Sequence, residues 1–156
     1  MKKFLGIIAV TVIVLSNVVA VQAGPQGIVD ILVTIDKEIS IEIGGGPINL
    51  GRIGIGETKV SATPITIKNN GSGANEIITL SVTDPAGWTF GEPGTNQYKA
   101  TFQFSEDGLS GVWKVPSEVS ESISYNETKK LWVNFKAPTS TDITTEQTIR
   151  LTISAE

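Results

Sequence analysis

The chain reads with a period of two over most of its length. The clearest case is "GIVDILVTIDKEISIEIGGG", residues 27–46, where Val29, Ile31, Val33, Ile35, Ile39, Ile41 and Ile43 occupy odd positions, interrupted only by Lys37. The even positions between them are mostly polar. β-Branched residues alternating with polar ones describe a strand with one buried and one wet face. Similar runs, each bounded by turn residues, predict strands over about 48–53, 59–68, 75–83, 97–105, 111–115, 129–136 and 145–155. No stretch sustains a 3.6-residue period, so the chain after its leader is predicted to be all-β.

The alternation also assigns faces. Ile65 with Ile67, Ile78 with Leu80 and Val82, Tyr98 with Ala100, Phe102 and Phe104, Leu131 with Val133 and Phe135, and Ile149 with Leu151 and Ile153 form the inward rows. Thr66, Lys68, Thr79, Ser81, Lys130, Asn134, Arg150 and Thr152 face the other way, which is the behaviour of antiparallel sheets packed on one side. "NNGSG", "DPAG", "GEPGTN" and "EDGLSG" supply the turn residues between strands.

The first strand, about 29–43, is too long for one sheet. Fifteen residues at about 3.3 Å each span roughly 50 Å, against about 17–20 Å for an ordinary strand. A hairpin at Asp36 and Lys37 would pair Ile35 with Glu38 and Val33 with Ser40, laying an apolar row beside a polar one. Two arrangements remain. Either the strand bends at Lys37 and passes from one sheet to the other, or one half completes this domain while the other is donated to a neighbouring subunit's sheet. In the second case Ile28, Val29, Ile31, Val33 and Ile35 form an assembly strand.

Residues 1–23 have the form of a cleavable signal peptide: Lys2 and Lys3, an uncharged apolar run over residues 4–20, and small residues at Val21 and Ala23 before Gly24. Its removal leaves a 133-residue chain, residues 24–156, the size of a single domain with one core. Loss of the two lysines takes the formal net charge from −4 to −6. An acidic chain without a basic cluster predicts no nucleic-acid partner and, after signal cleavage, no membrane partner. The expected location is secreted or on the cell surface, periplasmic in a host with two membranes.

The 156 residues contain no cysteine and no histidine. That removes thiolate nucleophiles, thiolate metal sites, imidazole general bases and Ser/His/Asp triads. A carboxylate pair or a Ser/Lys dyad would be the remaining routes to hydrolysis. Ser105, Ser110, Ser117 and Ser120 lie near Lys114, but without Ser-x-x-Lys spacing, and Glu106, Asp107, Asp36, Glu38 and Glu42 lack the spacing of a calcium loop. The expectation is a non-enzyme with no cofactor and no metal. The sequons at Asn70 ("NGS") and Asn126 ("NET") mark exposed loops, and would be glycosylated only in a host with that machinery.

The stretch "PINLGRIGIGETKVSATPITIKNNGSGANEIITLSV", followed by "DPAGWTF", resembles the immunoglobulin-like and fibronectin-like domains of bacterial and archaeal secreted and cell-surface proteins. The residues that carry the resemblance are Leu50 with Gly51, Gly56, residues 65–69 with Gly71, residues 78–82, and Pro85 with Gly87 and Trp88. "LWVNFKAPTSTDITTEQTIRLTISA" resembles the closing hairpin of the same domains. A weaker resemblance is to donor-strand fibre subunits. The resemblance implies an immunoglobulin-like antiparallel β-sandwich of seven to nine strands. It implies a structural or adhesive role, with other cell-surface proteins or further copies of the chain as partners. The alternative is a carbohydrate-binding module whose polysaccharide ligand stacks on Trp132 beside Lys130 and Asn134, on the face opposite Leu131, Val133 and Phe135. A plainer role for Trp132 is packing between strands, and for Trp88 and Trp113 a place in the core.

Overall fold

In the computed structural model, residues 39–156 are described. Among them, strands β1 (Ile41–Gly44), β2 (Thr58–Val60), β3 (Ile65–Asn69), β4 (Glu76–Thr83), β5 (Thr89–Phe90), β6 (Gln97–Phe104), β7 (Ser120–Ile123), β8 (Thr128–Lys136) and β9 (Arg150–Ala155) form two sheets. The larger sheet runs β1-β3-β8-β6-β5, and β2 pairs with β8 beyond the end of β3. The smaller runs β7-β4-β9. All pairings are antiparallel except that of the two-residue β5 with β6.

The two sheets share one apolar core. Ile65, Ile67, Tyr98, Ala100, Phe102, Leu131 and Phe135 come from the larger sheet and Ile78, Leu80 and Ile123 from the smaller, and all are buried. Each inward row read from the alternation contributes to this core or packs against it. Trp88 closes one end, with its ring 6.3 Å from Phe135 and 6.3 Å from Tyr98 and its Nε1 donating to Thr141 Oγ1 at 3.2 Å.

Several predicted strands change. Of the strand expected over 29–43, only residues from 39 onward are described, and β1 occupies Ile41–Gly44. The run 48–53 alternates correctly and is not a strand. Asn49 Oδ1 accepts the Gly51 N–H at 2.7 Å, and Gly51 takes φ 63°, so a local turn replaces the ladder while Ile48, Leu50 and Ile53 still pack on the core. The strand expected over 59–68 is two strands, because Pro64 has no N–H to offer and the ladder breaks before it. At that break Ser61 serves β8 twice, its N–H donating to the Val133 carbonyl and its Oγ accepting the Val133 N–H. The run 111–115 supplies only an isolated bridge, Phe102 with Lys114. Strands β5 and β7 were not predicted, since each is short and carries a single apolar residue.

Candidate functional site

The candidate assembly strand, Ile28, Val29, Ile31, Val33 and Ile35, lies outside the described residues, as do the signal segment and Lys37. What is described is the strand into which it leads. In β1, Ile41 pairs with Asn69 and Ile43 with Ile67, so its odd residues share the core face of β3. Asn69 is the last residue of β3, so Ile41 is the last β1 residue with a ladder partner. Beyond it the Asn70 N–H donates to the Ser40 carbonyl at 2.9 Å, and Ile39 is half exposed.

The end of β3 is firmly held. Asn69 is fully buried, and its Nδ2 donates to the carbonyls of Ala74 and Ile123, each at 2.9 Å. Its Oδ1 accepts the Gly71 N–H at 2.9 Å. An asparagine at this position closes the "NNGSG" turn and links the two sheets with the same amide.

On the smaller sheet, β9 has β4 on one side and, among the described residues, no strand on the other. Ile77 and Glu156 exchange both backbone hydrogen bonds, at 3.0 and 3.2 Å. Antiparallel ladders alternate bonded and non-bonded pairs, so Ser154, Thr152 and Arg150 direct their N–H and C=O groups to β4. Ala155, Ile153 and Leu151 then direct theirs to the open side. The side chains of these same three residues point to the core, yet each is only partly buried.

β7 forms the other border of the smaller sheet. Backbone hydrogen bonds of 2.8 and 2.9 Å tie Phe102 of β6 to Lys114, from which the chain passes through a 3-10 turn at Pro116–Glu118 into β7. Across the core β7 is also tied to β3, through the Asn69 amide and the Ile123 carbonyl, and to β8, through Glu121 and Lys129. On the edge strand of the larger sheet Ile43, with a core-facing neighbour in Ile67, is also half exposed. Strands β1 and β9 thus both carry core-facing residues that remain partly open to solvent.

Trp132, Lys130 and Asn134, the expected ligand platform, lie along β8 on the outer face of the larger sheet. The turn after β6 folds over part of that face. Gly108 sits against the indole so closely that a Cβ built there would lie 2.8 Å from Trp132 Cδ2, and the indole Nε1 donates to the Ser105 carbonyl at 2.9 Å. Lys130 Nζ pairs with Glu106 at 2.6 Å. Trp132 is half-buried, with Gly108 against one side of its ring system. Trp113 is half-buried and outside the core cluster, unlike Trp88.

The remaining polar candidates serve turns. Asp107 Oδ1 accepts the N–H groups of Leu109 and Ser110 and the Ser110 hydroxyl, and these bonds hold its carboxyl below the usual range. Glu127 accepts the Ser124 N–H at 2.8 Å, which lowers its carboxyl in the same way. Asn70 and Asn126 are exposed. Among the described residues no three Asp or Glu side chains come together to hold a metal ion.

The sequence reading missed Leu151, Ile153 and Ala155 as an edge. The alternation of β9 is the same as that of the central strand β4, and a pattern of apolar side chains does not say which strand has a neighbour on only one side. Compared with known proteins, the chain matches no family model, no curated protein and no solved structure.

Proposed function

We propose that this chain is a secreted, non-enzymatic structural or adhesive component of the cell exterior. In this reading it folds as an immunoglobulin-like sandwich and assembles through its N-terminal strand. The observation that carries the reading is a mismatch of lengths. Among the described residues the ladder of β1 reaches Ile41 opposite the last residue of β3, with one further bond from the Asn70 N–H to the Ser40 carbonyl, while the same apolar parity continues upstream in the sequence to Val29. A β-branched row longer than the strand it borders is suited to strand addition elsewhere. The immunoglobulin-like order is supported by the sequence β1-β3-β8-β6 in one sheet facing β4 and β9 in the other. Cleavage after Ala23 would free Gly24 and the residues that follow as the arm.

The test is to express the full chain in a secreting host and to locate and size the product, with and without residues 24–35. The expected result is an exported chain beginning at Gly24 that forms filaments or ladders, which the deletion abolishes while the domain stays folded. A monodisperse monomer retarded on a polysaccharide gel would contradict it in favour of the carbohydrate-binding alternative.

A further inference from the structure

The geometry points to the open edge of β9 as the acceptor for residues 29–35 of a second copy of this chain. The inference rests on the assembly reading above and names the surface it uses. Three observations converge on that edge. Leu151, Ile153 and Ala155 direct their backbone N–H and C=O groups outward, at the spacing a further strand would need. Their side chains face the core but are incompletely covered. The segment ahead of β1 carries four β-branched residues at alternate positions, Val29, Ile31, Val33 and Ile35, a row matched in period to that incomplete edge.

Parity favours a second copy, over the chain's own arm, as the donor. The core lies on opposite sides of the two sheets of a sandwich. A strand that crosses from one sheet to the other keeps its apolar row inward only by slipping one residue or rolling half a turn. Odd positions are apolar on both sides of Lys37, so the sequence contains no such slip, and the chain's own arm would have to roll half a turn between Ile35 and Ile39. The fifteen residues 24–38 can extend about 50 Å, far longer than an ordinary strand. A donor from another molecule approaches β9 without either constraint. Its odd residues then lie on the core face beside Leu151, Ile153 and Ala155, and its even residues lie on the solvent face beside Thr152 and Ser154, both exposed.

The absence of cysteine allows a test in the exported full-length chain. One preparation carries Leu32→Cys or Thr34→Cys and another carries Thr152→Cys or Ser154→Cys. These β9 sites are on the solvent face, and circular dichroism checks that each variant is folded. Mixing the two preparations under mild oxidation should give a disulfide-linked dimer for at least one even–even pair. Val33→Cys mixed with Ser154→Cys should not, because the two lie on opposite faces. Failure of every even–even pair would overturn the proposal. So would a double variant such as Thr34→Cys with Ser154→Cys that closes within a monomer at high dilution. Filaments that form without these cross-links would remove β9 as the acceptor and leave the exterior-component reading standing. A chain retained inside the cell would remove that reading itself.

Discussion

The side chain of Asn69 donates to the backbone carbonyl of Ile123 at 2.9 Å, joining the last residue of β3 in one sheet to the last residue of β7 in the other. The two residues are 54 positions apart, and both are fully buried. The same amide fixes the turn that carries the chain between sheets, so this end of the sandwich is built around one side chain.

Asn69→Ala removes three hydrogen bonds and leaves buried carbonyls without donors. The expected cost is about 3 kcal/mol of unfolding free energy. Urea denaturation followed by tryptophan fluorescence would measure it, and a loss below about 1 kcal/mol would show that the amide is not the fastening described here.

Gly108→Ala tests the cover over Trp132. A Cβ would collide with the indole, and φ 75° is costly for any residue but glycine, so a loss of about 2 kcal/mol is expected. Tryptophan emission should shift to the red as the indole is displaced, and the shift should be absent when Trp132 is already Phe.

Tyr98 is buried, and its hydroxyl donates to Asp84 Oδ1 at 2.9 Å. Burial first, and then the bond and charge of Asp84, push the phenol above its usual range near 10. A raised folded-state value means that its contribution to stability is complete below about pH 10 and declines as pH rises further, because only the unfolded state readily gives up the proton. Thermal midpoints between pH 8 and 11 should fall, and Tyr98→Phe should flatten that fall at a cost of about 1 kcal/mol at neutral pH.

Asp107 and Glu127 predict the opposite limb. Their carboxyls are held low by turn N–H groups, so the stability they confer is present above the ordinary carboxylate range and is lost as pH falls below about 4. Denaturation midpoints measured from pH 6 to pH 2 should decline less steeply in the Asp107→Asn, Glu127→Gln double variant.

The sequence made the rows of the core legible because one rule, side chains alternating across a pleated strand, governs Ile65 with Ile67, Ile78 with Leu80, and Leu131 with Phe135 alike. It did not distinguish strands from loops that alternate equally well. Ile48, Leu50 and Ile53 pack inward from an irregular segment because Gly51 and the Asn49 side chain satisfy the backbone locally. Nor did it reveal edges. The pattern of β9 is set by the core beneath it, whereas its status as an edge depends on what lies beside it, and that information resides in pairing between distant segments.

Amide hydrogen exchange along β9 tests the strand-addition account most directly. The N–H groups of Thr152 and Ser154 bond to β4 and should be protected at every concentration, whereas those of Leu151, Ile153 and Ala155 face outward. In the exported, assembled protein the latter three should become protected as well, and their protection should vanish on dilution to monomer or on deletion of residues 24–35. Exchange of the Ile153 amide at the rate of an open edge in the assembled protein would contradict the account.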